Sequence, residues 1–195
     1  MPCDDTLREW LHGRVEGEIE GVAADDDAVY CQTVEVDLDK LCPQVAKPHK
    51  VDNVSPVAEV EGTPVQHAII GTCTNGRIED LEVAARILDG KKIAHGMTLT
   101  ISPASKAVYI EAIHRGYVET FLRAGATIAI PGCSGCSGGA YVGIPADGEA
   151  VITTANRNFK GRLGNANSFL YLASPATVAA SALTGCIEDS RNYVR

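Results

Sequence analysis

From Val65 onward, short apolar runs alternate with stretches of helical periodicity, and this rhythm limits the fold more than any other feature of the chain. Val65–Ile70, Met97–Ile101 and Ala126–Ile130 are apolar runs of strand length. Between the first two, Ile78, Leu81, Ala84, Ala85 and Leu88 fall on one face of a helix that stops at Gly90. Between the second and third, Ser105 caps a helix that ends at Gly116, and Tyr117–Ala124 forms a shorter one. Strands joined through helices pair in parallel, with right-handed crossovers. Two more short strands follow, Ala150–Thr153 and Phe169–Leu172, and Ser174 with Pro175 at the first helical position opens a last helix that runs to Leu183 before Gly185. The expectation is an α/β fold with a mostly parallel sheet of four or five strands and helices on both faces. A chain of 195 residues, 45% of them hydrophobic, has enough apolar surface for one such core.

Residues 1–64 read differently. Thr6–Leu11 is a short surface helix, followed by an acidic, glycine-containing linker ending in Asp25-Asp26-Asp27. Val29–Leu38 alternates, with Tyr30, Gln32, Val34, Val36 and Leu38 on one side and Thr33, Glu35 and Asp37 on the other, the pattern of a half-exposed antiparallel edge strand. Residues 39–64 carry Pro43, Pro48, Pro56 and Pro64 and no sustained period, which predicts an extended strap rather than a packed element. The expected division is therefore 1–64 for this N-terminal region and 65–195 for the α/β domain.

A formal charge of -8, with no dense run of Lys and Arg, argues against nucleic-acid or anionic-membrane affinity. The first residues have neither a basic nor an apolar leader pattern, and no apolar stretch is long enough to span a bilayer. The seven cysteines are odd in number and irregularly spaced, which favours a reducing, cytoplasmic compartment with metal-binding or catalytic thiols over a disulfide framework.

Two glycine-flanked turns collect the cysteines that carry chemistry. Pro131-Gly132-Cys133-Ser134-Gly135-Cys136 places two thiols three residues apart, and Gly71-Thr72-Cys73-Thr74-Asn75-Gly76-Arg77 supplies a third after an apolar run. In an open α/β sheet such turns gather outside the carboxyl ends of the strands. Cys73, Cys133 and Cys136 can hold zinc, an iron-sulfur cluster or nothing. Structural zinc wants four closed ligands, and only one Cys-x-x-Cys pair is present; His67 and His95 are the histidines that could complete a set, although a lone histidine is more often solvated or packed. Four thiolates normally hold a cubane, so three would leave one iron open as a Lewis acid. A thioredoxin-like dithiol needs its first cysteine at a helix start, and Ser137-Gly138-Gly139 after Cys136 are poor helix formers.

A third segment, Asn156-Arg157-Asn158-Phe159-Lys160-Gly161-Arg162, follows the strand at 150–153 and carries two arginines five apart beside two asparagines. Planar, always-charged guanidinium groups suit a di- or tricarboxylic substrate; an arbitrary segment of this kind is more often a solvated basic loop, and it is its place at the end of a strand, on the cysteine side, that points to function.

Together these three segments resemble the signatures of the cluster-bearing third domain of the aconitase family, and most closely the large subunits of its isopropylmalate, homoaconitate and dimethylmalate branches. The tail from Tyr171-Leu172-Ala173-Ser174-Pro175-Ala176-Thr177 to Thr184-Gly185 resembles that domain's final helix, and Asp52-Asn53-Val54-Ser55-Pro56-Val57 its entry segment. The resemblance implies a 4Fe-4S cluster on Cys73, Cys133 and Cys136, with Asn156 near the cluster and Arg157 and Arg162 on substrate carboxylates. It further implies a hydro-lyase that reversibly dehydrates a small hydroxy acid, with a serine base supplied by a separate small subunit or domain. The family's large subunit has two further α/β domains, and nothing in residues 1–64 resembles them, so the strap is expected to lie over such domains and this chain to need them and the small subunit for activity. The alternative is a non-catalytic iron-sulfur binding or sensing module. One departure stands out: where many relatives have a histidine after the second cysteine of the pair, this chain reads Ser137-Gly138-Gly139-Ala140-Tyr141.

Overall fold

Alternating apolar positions pay off as strands only where a partner edge is available, and here they build one mixed sheet. A computed structural model describes residues 3–136 and 142–193. The strands are β1 (Gln44–Ala46), β2 (Val54–Pro56), β3 (His67–Gly71), β4 (Thr98–Ser102), β5 (Thr127–Ile128), β6 (Ala150–Thr153) and β7 (Phe169–Leu172). Their spatial order is β2-β1-β7-β6-β3-β4-β5. The five strands expected from the apolar runs are parallel to one another, with Ile69 of β3 opposite Thr100 of β4 and Thr153 of β6. The chain steps from β3 to β4 to β5 in one direction, then returns to place β6 and β7 on the other side of β3. The reversal falls between β3 and β6.

The helices are α1 (Asp5–Leu11), α2 (Ile78–Leu88), α3 (Lys106–His114), α4 (Tyr117–Ala124) and α5 (Pro175–Thr184). Their caps are those the sequence predicts: Ser105 and Ser174 accept from the backbone N–H of Val108 and Thr177, and Gly185 closes α5 in the left-handed region. Strand alternation sorts side chains onto two faces. Ala68, Ile70, Leu99, Ile101 and Ile152 enter a large apolar core with Leu81, Phe121 and Val178, where α2 packs on α4 and α5. Ile69, Val151 and Leu170 face the other way, with Leu163 and Val142. On that face the described covering residues belong to loops and to a one-turn 3-10 helix, Cys133–Gly135, where the sequence suggested α-helix. The connection that crosses there is rich in glycine, and its cysteine turn takes the place of a helix.

The proline-rich strap is the main difference. Val45 and Val57 are fully buried in the large core, β1 pairs with β2, and Ala46 pairs antiparallel with Leu172 of β7. The sheet thus has seven strands rather than four or five. Three-residue strands between prolines are too short to display a period of two, which is why residues 39–64 read as unpacked.

Two compact units emerge, Met1–Lys40 and Leu41–Arg195. Within the first, Asp4 caps α1 by accepting from Leu7 N–H at 2.9 Å, Arg8 donates to Ile19 O at 2.9 Å, and the Arg14 guanidinium lies over the Trp10 ring. The edge strand expected at Val29–Leu38 does not form. Val29, Val34 and Val36 are exposed, and the only regular element nearby is the 3-10 turn Leu38–Lys40. An alternating segment without a neighbouring strand has no ladder to join. No helix among the described residues is long and apolar enough to cross a membrane.

Candidate functional site

Parallel strands end at one edge, so the three segments singled out by sequence emerge together: one after β3, one after β5 and one after β6. The turn after β3 sits at the reversal of strand order, where ligand crevices form in open α/β sheets. It is fastened on both sides. Gly71 N–H donates to Thr154 Oγ1 at 2.8 Å, beyond β6, and Thr72 N–H donates to Ser102 O at 3.1 Å, on β4. A Cβ on Gly71 would stand 1.8 Å from Ser102 O, so only glycine fits. Thr72 has φ 97°, a strained conformation for a β-branched residue that costs on the order of 1–2 kcal/mol. That geometry turns the chain out of the strand and leaves Cys73 exposed. Asp80 then accepts from Gly76 N–H and Arg77 N–H, both at 3.0 Å, fixing the start of α2.

The Cys133 turn reaches the same place by crossing a strand. β5 lies two strand spacings from β3, roughly 10 Å. From there Gly132, at φ 119°, folds the chain back into the 3-10 turn, closed by Cys136 N–H donating to Cys133 O at 3.0 Å. Ser134 Oγ donates to Ile130 O at 2.6 Å and stands 2.9 Å from Ser102 Oγ, which pins the turn over β4. Gly135, between the two cysteines, is pressed onto β3. A Cβ there would lie 3.0 Å from the Thr72 methyl and 3.2 Å from Ile69 Cγ2. The residue preceding Cys73 and the residue preceding Cys136 are therefore in contact.

The third segment divides in two. Arg162 turns toward the cysteines, its Nη2 donating to Cys136 Sγ at 2.7 Å, with its guanidinium 5.6 Å from the Phe159 ring centroid. Asn156 and Arg157 instead line a cleft of about 570 Å³ whose opposite wall is His49, Lys50, Val51 and Asp52. Asn158, fully buried, ties the walls together: its amide donates to Lys47 O at 2.9 Å and to Lys50 O and Leu170 O at 3.3 Å.

The seven cysteines are all free, with Cys73 and Cys133 exposed and Cys136 half-buried. Among the described residues no three His, Cys, Asp or Glu side chains converge as ligands of a single ion. One zinc ion needs all its donors about 2.0–2.3 Å from a common point. An iron-sulfur cube spreads its thiolates over different irons, so soft donors on neighbouring turns suit it better. Thr72 Oγ1, Asn75 Oδ1 and Arg162 Nε, beside these turns, are buried without a partner among the described residues. Buried polar atoms are seldom left so in a native protein, and three around one cysteine group fit a site shaped for a further polar occupant.

His67 and His95, the histidines the sequence offered as ligands, stand elsewhere. His67 begins β3, at the amino-terminal edge of the sheet, with Nε2 2.9 Å from Glu149 Oε2 and Nδ1 2.7 Å from Thr98 Oγ1. The bond from His67, and then the Ala146 N–H, hold the Glu149 carboxyl below its ordinary range. His95 is exposed in the turn that enters β4 at that same edge. Neither joins the cysteines. Sequence reasoning passed over Thr154, Ser102 and Ser134, which position the turns, and His49 and Lys50, which wall the cleft. Single polar residues in loops carry no periodic signal that would pick them out. The Ser137–Tyr141 departure lies outside the described residues.

Comparison with known proteins gives a consistent picture. The family model described as "Aconitase family (aconitate hydratase)" matches residues 56–185. The chain is 51% identical over 193 residues to the protein named 3-isopropylmalate dehydratase large subunit 2 of Archaeoglobus fulgidus, covering 98% of this chain and 46% of that protein. It is 51% identical over 191 residues to the probable methanogen homoaconitase large subunit of Methanosarcina mazei, covering 98% and 48%. To 3-isopropylmalate dehydratase large subunit 1 of Thermotoga maritima it is 46% identical over 198 residues, covering 100% and 47%. The chain spans about half the length of the curated relatives it matches.

Proposed function

The chain belongs to the aconitase family, and from that premise we propose that it is the cluster-holding part of a hydro-lyase acting on a hydroxy di- or tricarboxylic acid of the 3-isopropylmalate or homoaconitate type. Cys73, Cys133 and Cys136 hold a 4Fe-4S cluster in this reading. The observation that carries it is the seating of Gly135 against the Thr72 methyl, which joins the two cysteine turns at the strand-order reversal. A cubane held by three thiolates supplies, when bound, one iron able to polarise a substrate hydroxyl.

The remaining roles fall to this chain's own side chains. Arg157, exposed on the cleft wall, binds a substrate carboxylate as a planar bidentate donor, with Asn156 beside it to orient the acid. Arg162 offers those of its terminal N–H groups that are not turned toward sulfur to a second carboxylate. The site residues all lie within 65–195, the part we assign to cluster and substrate, while residues 41–64 complete the sheet and wall the cleft.

Proton abstraction needs a positioned base, which we assign to a small partner subunit, with further large-subunit domains completing the enclosure. The net charge of -8 argues against a nucleic acid or anionic membrane surface as partner, and an anionic substrate is held by the local arginines against that overall charge. Seven unpaired thiols support a reducing compartment, the cytoplasm.

The test is complementation. The reconstituted chain is combined with the segments of a relative that it does not cover and with that relative's small subunit, and dehydration of 3-isopropylmalate and of homocitrate-type acids is followed by ultraviolet absorbance. Turnover that disappears with Arg157→Gln supports the reading. A retained cluster with no turnover in any combination favours the non-catalytic module instead.

A further inference from the structure

We propose that Arg162 is a positioning residue for the cysteine centre, clamping the sulfur of Cys136 and thereby raising the reduction potential and the retention of a cluster bound there. This rests on the reading of Cys73, Cys133 and Cys136 as ligands. It goes beyond carboxylate binding, the role that the pattern of two arginines suggests.

Arg157 and Arg162 look equivalent in the sequence and differ in space. Arg157 is exposed on the cleft wall, whereas Arg162 is half-buried with Nη2 2.7 Å from Cys136 Sγ. A guanidinium N–H on a thiolate is a charge-assisted bond, stronger than a neutral one. The arm that delivers it is held in place. Arg162 N–H donates to Phe159 O at 3.0 Å, Gly161 closes that turn at φ 81°, and the guanidinium rests over the Phe159 ring. Just before Phe159, Asn158 anchors the segment to three backbone carbonyls. The arginine is thus built into the cysteine loop's support rather than left to swing.

Two further observations point to sulfur as its partner. Among the described residues no carboxylate pairs with Arg162. Its Nε is buried with no acceptor among the described residues, leaving an N–H that a second sulfur would satisfy. Hydrogen bonds and positive charge at the sulfurs of a cluster favour its more electron-rich state and orient the ligand, so removing them lowers the potential and loosens the metal.

The experiment compares the unaltered chain with Arg162→Gln and Arg162→Lys after anaerobic reconstitution. Iron and sulfide content, the midpoint potential from an EPR-monitored redox titration, and the rate of iron loss in air are measured for each. We expect Arg162→Gln to take up the cluster but to titrate at a more negative potential and lose iron several-fold faster, and Arg162→Lys, which keeps the charge without the planar fork, to fall between. A cluster with unchanged potential and unchanged iron loss in both variants overturns the proposal while leaving the ligand reading intact. No iron and sulfide in the unaltered chain overturns both. Should Arg162→Gln fail to fold by circular dichroism, Arg162→Lys decides alone, and a potential equal to that of the unaltered chain overturns the proposal.

Discussion

Gly71 and Gly62 share a positive φ but not a surrounding, and the contrast shows what the site asks of single residues. A Cβ on Gly62 meets nothing within 4 Å, so Gly62→Ala should cost only the left-handed strain of about 1 kcal/mol. A Cβ on Gly71 meets the Ser102 carbonyl at 1.8 Å, backbone against backbone, and Gly71→Ala should cost more than about 3 kcal/mol in urea unfolding and displace Cys73. Equal losses at the two positions would mean that the Gly71–Ser102 approach is not a constraint. Asn158 makes a second case. Asn158→Ala strips donors from three carbonyls, at least one of them deep beside β7, and should destabilise by roughly 2–4 kcal/mol. A loss near zero would show that the cleft walls hold without it. From the sequence the cysteines were legible because glycine and thiol chemistry mark them. The different fates of Asn156, Arg157, Asn158 and Arg162 were not, because neighbours in one polar run differ only in what the fold brings opposite them.

Elements were readable in proportion to their length and pairing. The helices and most of the parallel strands from Val65 onward announced themselves through period, caps and glycine stops; β5, two residues long with neither residue buried, is much shorter than the apolar run Ala126–Ile130 that marked it. β1 and β2 did not, being three residues long between prolines, and Val29–Leu38 showed a strand's pattern without a strand to pair with. At this scale α5 offers a test: Ser174 Oγ accepts from Thr177 N–H at 3.2 Å, and Ser174→Ala should lower stability by about 1 kcal/mol, felt by α2 and β3, which pack on α5. The amino-terminal edge of the sheet offers another, through pH. Because the folded Glu149 carboxyl titrates below its ordinary value, its bond to His67 stabilises the fold above the unfolded carboxylate range near about 4.3, and this is lost as pH falls through the folded value. The melting temperature of the unaltered protein should therefore fall more between about pH 6 and about pH 3 than that of Glu149→Gln. Parallel declines would remove this pair from the account of acid stability.

For the molecule as a whole, the topology explains why such a site stands where it does. Reversal of strand order between β3 and β6 opens a crevice, the loop-covered face of the sheet lets a cysteine turn cross β4 to reach it, and the segment after β6 sends Arg162 to the same place. His67 and His95, at the opposite edge, stand apart from it. The central claim is that three of seven cysteines act as one ligand set, and it is tested most directly by iron and acid-labile sulfide after anaerobic reconstitution of the unaltered chain, Cys73→Ser and Cys186→Ser. Cys186 pairs through the backbone with Pro64 near the amino-terminal edge, away from the site. The account predicts about four irons and four sulfides in the unaltered chain and in Cys186→Ser, and their loss in Cys73→Ser. Zinc in place of iron and sulfide, or a cluster that survives in Cys73→Ser, would contradict it.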